Sequence, residues 1–224
     1  MTILGIDTSG KIASVAVSAS ADLANEEKVL SQTTVYTKLT HSQVILPICR
    51  DVLKNAGMEF SDVDGIAVSA GPGSYTGLRI GIAAVKAMCF ALDKPCVGIS
   101  TLEALAYNVL LHKGIICAVM AARLDLVYCG IFRSDGKNLE RLAPDRIISV
   151  DDLKRELEAF EGGIVTVGDN AEVLTGERFR TAPAPLRLQL GTSLCMAAFN
   201  KEMYSPDRLE AAYLEMTKAE KDKL

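Results

Sequence analysis

The stretch AGPGSYTGLRIGIAA, residues 70–84, follows a short apolar segment and opens a helical pattern. Its glycines allow backbone conformations that other residues avoid, and Ser74 and Thr76 are able to cap a helix that begins there. The N-terminus of such a helix favours an anion, but the spacing fits neither a GxxxxGK[ST] loop nor a GxGxxG turn. The stretch predicts a strand–loop–helix unit, with either a phosphate at the loop or ordinary capping alone.

Small residues share one face of the helix predicted over 76–92. Gly77, Gly81, Ala84 and Met88 recur at helical spacing, so this face carries little side-chain bulk. A glycine within a helix costs about 0.5–1 kcal/mol relative to alanine, a cost that close packing commonly offsets. The stripe predicts close packing either within the protein or against another subunit.

Apolar periodicity on both sides of this stretch predicts an α/β fold with an internal repeat. The first half is predicted to contain a hairpin over 3–17, a strand over 28–35, a helix over 44–56 with Pro47 inside it, a strand over 64–70 and the helix over 76–92. A similar order follows, with strands near 115–121, 125–133 and 139–149, a helix at 151–160, a strand at 164–168 and a helix near 191–203.

Two copies of a βββαβα unit are the plan of the two-lobed actin, sugar kinase and Hsp70 folds (ASKHA, RNase H-like), whose lobes enclose a cleft. We therefore predict a first lobe formed by 1–104 with 205–224 and a more divergent second lobe formed by 105–204. The charged segment 207–224 is predicted to be helical and to pack back on the first lobe.

Composition narrows the functional class. A net charge of −4, with no run of more than two Lys or Arg residues, lacks the basic footprint of a protein that binds nucleic acid alone. The longest apolar run, Ile115 to Ala122, is too short to cross a membrane. Six cysteines without a CxxC pair are typical of small core side chains in a reducing compartment. We predict a cytoplasmic protein.

The predicted cleft contains candidate ligand-binding residues from two loops. The segment GIDTSG at 5–10 places Asp7 at a strand-to-strand turn, where it would hold a hydrated metal ion or only shape the turn. His41 and His112 are too far apart to form a helical metal-binding pair. A weak nucleotide or phosphate site, for ATP or ADP with Mg, would comprise Asp7, Ser9, Gly71, Gly73 and Ser74.

Four segments together, LGIDTSG, HSQVILP, SAGPGSYTGLRIGIAAVKAM and VGISTLEALA, closely resemble the bacterial TsaB family (YeaZ-like, glycoprotease-like) of tRNA threonylcarbamoyladenosine biosynthesis proteins. The resemblance is dense over 1–108 and thin afterwards, and Ala121 stands where the family commonly has an acidic residue. TsaB is similar to the larger catalytic subunit TsaD, whose paired histidine metal ligands fall at Thr101 and Leu105 here. The resemblance therefore implies a protein that is neither catalytic on its own nor a protease.

The resemblance also implies partners. In the family, the helices corresponding to 42–55 and 76–92 form the face that joins TsaD, or a second TsaB when TsaD is absent. A TsaE-like ATPase would engage the assembly, and tRNA would be reached only through the complex. The interface residues predicted from this are His41, Val44, Ile45, Ile48, Gly77, Gly81, Ala84 and Met88. The alternative is a small-molecule kinase or ATPase that binds ATP in the cleft.

Overall fold

A five-stranded mixed sheet forms the centre of the first lobe. The computed structural model describes residues 1–21, 26–36 and 39–214. The strands are β1 (Thr2–Asp7), β2 (Ile12–Ala21), β3 (Glu26–Tyr36), β4 (Gly65–Gly71) and β5 (Cys96–Ser100). Their order is β3-β2-β1-β4-β5, with β1 to β3 antiparallel and β4 and β5 parallel to β1. Strand β5 has no counterpart among the strands predicted from the sequence.

The second lobe repeats this sheet. Its strands are β6 (Gly114–Ala121), β7 (Leu126–Ser134), β8 (Leu139–Ser149), β9 (Ile164–Val167) and β10 (Phe179–Thr181). The order β10-β9-β6-β7-β8, with β9 and β10 parallel to β6, matches the first sheet strand for strand. The predicted two-lobed, duplicated α/β fold is thereby confirmed.

Helices cover both faces of the first sheet. Along β1, Leu4 and Ile6 belong to the core cluster that includes α1 (His41–Asn55) and α2 (Tyr75–Leu92), whereas Ile3 belongs to the cluster beneath α6 (Gly191–Phe199). Alternate residues of a strand point to opposite faces, so α1 and α2 lie on one face and α6 on the other. The predicted second lobe, 105–204, thus contains a helix that packs on the first sheet. Local periodicity predicted the helix but carried no information about its tertiary partner.

The second sheet is covered differently. On one side lies α4 (Val150–Leu157), which buries Leu153 and Leu157 in a cluster with β6 and β7. On the other lies α3 (Thr101–Tyr107), which buries Leu105 against that sheet and Ala104 against the first. Between β9 and β10 the chain makes a 3₁₀ turn at Ala171–Val173 and no counterpart of α2, and a four-residue helix, α5 (Ala184–Arg187), follows β10.

The C-terminal segment returns to the first lobe. Tyr204 bridges Cys96 at the outer edge of β5, Leu209 is buried in the core, and the Ala212 N–H donates to the Ala70 carbonyl at 2.7 Å. After a 3₁₀ turn at Pro206–Arg208, residues 209–214 are not helical, so the predicted helix is wrong there. Burial of Leu209 and the backbone bond to β4 hold this part extended. The remainder of the prediction, 215–224, lies outside the described residues.

The helix α2 is apolar enough, with a mean hydropathy of 1.3 over 18 residues, to cross a membrane by length and composition. Its apolar residues are nevertheless part of the first core, since Leu78, Ile82 and Val85 are buried there. Here α2 is a core helix of the first lobe.

Candidate functional site

The two glycine- and hydroxyl-containing loops contact each other. The Ser74 N–H donates to the Ser9 carbonyl at 2.7 Å, and the Thr8 hydroxyl donates to the Gly77 carbonyl at 2.8 Å. A Cβ atom on Gly77 would lie 2.1 Å from the Thr8 carbonyl oxygen, and one on Gly81 would lie 2.3 Å from the Thr8 hydroxyl oxygen. The glycines of α2 therefore make room for the protein's own β1–β2 loop.

This packing corrects the predicted partner interface. Gly77, Gly81 and Met88 are buried within the first lobe, and Ala84 is half-buried against the same core. The exposed side of α2 contains Ala83, Ala87 and Phe90, and of these Ala83 and Phe90 come two residues after Gly81 and Met88. Two residues correspond to about 200° around a helix, so the predicted face is the inward one.

Of the residues predicted on α1, two lie on the inward side, and the half-buried pair His41 and Val44 stays a prediction. Ile45 and Ile48 are buried in the core, and His41 and Val44 are half-buried. The solvent side of this helix includes Leu46, which is 48% exposed. Periodicity indicates which residues share a face, but the long apolar sequence of α2 did not reveal which face turns outward.

A cleft of about 350 Å³ separates the two lobes at the carboxyl ends of β1, β4, β6 and β9. The first lobe contributes Ser9, Gly73 and Ser74, as the sequence predicted, together with Gly10 and Lys11. The second lobe contributes Met120, Ala121, Ala122, Arg123, Tyr128 and Asp169. Lys11, Arg123 and Asp169 were missed. For Asp169 a signal existed, since it follows β9 as the glycine-rich loop follows β4.

Gly71 lies outside this cleft. Its φ of +128° favours glycine, and a Cβ atom there would lie 2.4 Å from the Ala212 carbonyl oxygen. The C-terminal segment therefore covers the position, and Gly71 does not line the cleft. The structure brings together three of the five predicted nucleotide-site residues.

Asp7 lies beneath the cleft and is fully buried. Its Oδ1 accepts hydrogen bonds from the Ser9 N–H at 2.8 Å and the Ser9 hydroxyl at 2.7 Å, so the carboxyl group shapes the turn. Burial raises the pKa of Asp7, although the contacts with Ser9 and the nearby Ser69 hydroxyl act in the opposite direction. Its Oδ2 and the Ser69 Oγ form no hydrogen bond of ordinary geometry with any described residue.

The start of α2 offers few free donors for an anion. Ser74 Oγ accepts from the Gly77 N–H at 3.2 Å, and the Ser74 N–H is bonded to Ser9. Two of the groups that could face a phosphate are thus occupied within the protein. Ordinary capping accounts for the visible bonds at this loop.

The positions of the expected metal ligands are in the core. Thr101 and Leu105 are both buried in α3, and an alkyl side chain has no atom that coordinates a cation. Over the ranges 1–21, 26–36 and 39–214, no three His, Cys, Asp or Glu side chains cluster as metal ligands would. His41 begins α1, and His112 precedes β6, at the opposite end of the strand from the cleft.

Comparisons with known proteins agree with the fold. A family model described as "TsaD: tRNA N6-adenosine threonylcarbamoyltransferase" matches residues 27–171. The chain is 32% identical to the tRNA threonylcarbamoyladenosine biosynthesis protein TsaB of Bacillus subtilis, over 77% of this chain and 73% of that protein. It is 29% identical to TsaB of Escherichia coli, over 75% and 71%. YeaZ from Pseudomonas aeruginosa superposes with a TM-score of 0.77 at 25% identity, over 95% of this chain and 99% of that one. The chain therefore belongs to the TsaB family of tRNA threonylcarbamoyladenosine biosynthesis proteins.

Proposed function

We propose that this protein is a non-catalytic subunit required for threonylcarbamoyladenosine modification of tRNA. It would act by binding a TsaD-like catalytic subunit on the solvent side of α1 and α2. We call this surface the outer helical face and define it by Leu46 and Pro47 on α1 and Ala83, Ala87 and Phe90 on α2. Membership of the TsaB family supports the process, and the exposure of this face supports the mode of action.

The single observation that carries the docking proposal is the exposure of Phe90. This aromatic side chain is 61% exposed on a helix whose other outward residues include alanines at i−7 and i−3. Alanines allow the backbone of a neighbouring helix to come close, and an aromatic anchor is the residue type that most often dominates an interface. The combination favours a helical partner surface.

Other features support an auxiliary role. The residues that stand in place of the catalytic ligands, Thr101 and Leu105, are buried core residues. The net charge of −4 disfavours independent tRNA binding, so tRNA would be reached through the complex. In the absence of the catalytic subunit, the same face would join two copies of this chain. A TsaE-like ATPase would act on the assembly.

A charge placed at the centre of the outer helical face tests the docking. Phe90→Asp should weaken binding of the TsaD-like subunit by about 30-fold or more, the effect of losing an interface anchor. The matched control is Leu124→Asp, because Leu124 is 99% exposed on the β6–β7 turn, away from this face. Isothermal titration calorimetry measures both. Equal affinity for Phe90→Asp and the control would contradict the assignment.

The interlobe cleft supports a second candidate, a small-molecule kinase or ATPase. Asp7, whose Oδ2 has no hydrogen-bond partner among the described residues, ends β1 two residues before Ser9 of a cleft that Gly73 and Ser74 also line. Titration of the isolated protein with Mg-ATP, followed by an assay for released phosphate, separates the candidates. Tight binding with turnover would support the kinase or ATPase and contradict a non-catalytic role.

A further inference from the structure

We propose that a groove at the far end of the second lobe binds an extended peptide segment of a partner protein, in which an apolar stretch adjoins an acidic stretch. Two adjoining cavities, of about 620 and 480 Å³, form this groove and share His112, Val165 and Arg180. The groove lies at the amino ends of β6 and β9, about 25 Å along the strands from the cleft. It is separate from both the cleft and the outer helical face.

One half of the groove is apolar and open to solvent. Three parts of the chain build it: the connection from α3 to β6, the segment after β10, and α6. Its apolar lining includes Val109, Leu110, Leu111, Ala182, Leu186 and Met196. Leu111 is 87% exposed and adjoins the other apolar residues of this lining, so together they form an apolar patch that is open to solvent. An open groove of this size accepts one or two apolar side chains of a peptide.

The other half is cationic. Lys113 and Arg180 are exposed there, and the Arg180 side chain makes no ion pair or hydrogen bond with any residue in the described ranges. Arg178 is occupied by the carbonyl oxygens of Phe160 and Gly162, and Glu177 is the acidic residue of the lining. In a chain with a net charge of −4, this local excess of positive charge is complementary to an acidic segment.

His112 lies where the two halves meet. Its Nε2 is buried and has no hydrogen-bond partner among the described residues. Burial, together with the nearby positive charge of Arg180, lowers the pKa of His112. Near neutral pH the ring is therefore uncharged, so His112 adds no charge where the apolar and cationic halves meet.

The edge of β10 supplies the backbone groups for an added strand. The Arg178 carbonyl accepts from the Ile164 N–H, and the Ala182 N–H donates to the Thr166 carbonyl, both at 2.8 Å. Along β10, Arg178 and Ala182 therefore direct these backbone groups towards β9. Thr181 is in the alternate position, so its N–H and carbonyl point away from β9. Neither its N–H nor its carbonyl is bonded within the described part of the chain. An extended peptide adds to such an edge by backbone hydrogen bonds.

The duplicated fold shows how such an edge is used. In the first lobe, β5 occupies the place of β10, and its Cys96 exchanges two 2.9 Å backbone hydrogen bonds with Tyr204. A segment of this chain thus bridges the first edge. Within the described ranges, none bridges the second. Because the groove flanks this vacant edge, its occupant should be strand-forming rather than a helix.

The test uses a fluorescein-labelled peptide, Leu-Val-Leu-Glu-Asp-Glu-amide, and the full-length protein. Fluorescence anisotropy should show saturable binding that weakens at least tenfold when the acidic block is replaced by Lys-Lys-Lys. Arg180→Glu should weaken binding at least tenfold, and Lys28→Glu, a charge reversal on exposed β3, should leave it unchanged. In ¹⁵N NMR spectra the Thr181 amide should shift on binding.

Three results would overturn this proposal. They are the absence of saturable binding, equal affinity for the acidic and basic peptides, and amide shifts confined to the cleft. A peptide with N-methylated backbone amides in the Leu-Val-Leu block keeps its side chains but loses the backbone N–H groups that donate hydrogen bonds to a neighbouring strand. Equal affinity for this peptide would reject strand addition. Because the readout is binding at the second lobe, the outcome is independent of docking at the outer helical face.

Discussion

The two lobes share one sheet plan but surround it differently. The first sheet has α1 and α2 on one face and α6 on the other, and its fifth strand is bridged by Tyr204. The second sheet has α4 on one face and the shorter α3 on the other, and its connection from β9 to β10 contains no counterpart of α2. The common plan explains the fold. The differences distinguish the two surfaces for which we propose partners, namely a helical face on the first lobe and a groove beside a strand edge on the second.

The largest expected effect concerns α3, which joins the two lobes. Leu105 is fully buried between this helix and the second sheet. Leu105→Ala should lower the free energy of unfolding by about 2–5 kcal/mol, because it leaves a cavity in a close-packed core. Urea unfolding measures the loss, with the exposed Leu111→Ala as control. A loss no larger than that of the control would show that α3 does not hold the lobes together.

A smaller loss of stability is expected when a glycine of the first lobe, but not one of the second, is replaced by alanine. Gly77→Ala brings a Cβ atom within 2.1 Å of a backbone carbonyl oxygen, whereas the nearest atom at Gly163 would be 3.7 Å away. Gly77→Ala should therefore cost about 1–3 kcal/mol of unfolding free energy by overpacking, and Gly163→Ala little. Thermal or urea unfolding checks both. If both variants were equally stable, the contact between α2 and the β1–β2 loop would not constrain the fold.

An ion-pair network between the lobes should contribute less. Glu103 on α3 accepts from Arg141 of β8 at 3.1 Å and from Lys201, which follows α6, at 2.8 Å. Glu103→Gln should cost about 1 kcal/mol, because these pairs are partly exposed to solvent. Glu140→Gln, which alters the exposed pair with Arg133, is the matched control. The difference should shrink in high salt, and its persistence there would argue against an electrostatic origin.

The subtlest effect is a pH dependence specific to the first lobe. Burial raises the pKa of Asp7, so above about pH 4 the folded state retains more protons than the unfolded chain. Stability therefore falls as pH rises from the unfolded pKa through the raised folded pKa. The corresponding strand end in the second lobe, Ala121 of β6, has no such group.

Asp7→Asn removes this charge and keeps an oxygen acceptor for Ser9. The variant should be at least as stable as the wild type near neutral pH, with the difference shrinking towards about pH 4. Urea midpoints measured across this pH range check the trend. A variant that lost stability at neutral pH would show that the carboxylate itself is needed.

Sequence reasoning located α2 and the second-lobe strands β6 to β9 closely because each has a strong local pattern. Strand β5 was missed because Cys96–Ser100 leads directly into α3 without a turn between them, and β10 was missed because three residues are too few to show a period. The inward side of α2 was assigned to a partner because the contact with Thr8 joins residues about 70 positions apart. No local pattern carries that information.

Some of the residues that line the cleft could be predicted from the sequence. Ser9, Gly73 and Ser74 are loop residues at strand ends, and topology brings such ends together. Gly71 has the same loop composition but is covered by the distant Ala212. Burial by a remote segment therefore separates the predicted residues that line the cleft from those that do not.

The central claim is that this protein contributes a docking surface rather than chemistry. It is tested most directly by reconstituting threonylcarbamoyladenosine formation on tRNA from a TsaD-like subunit, a TsaE-like ATPase and threonylcarbamoyl-adenylate. Wild-type protein and Leu124→Asp should support the modification. Omission of the protein, or use of Phe90→Asp, should abolish the modification or reduce it to a small fraction. Full modification with Phe90→Asp, or without this protein, would contradict the account.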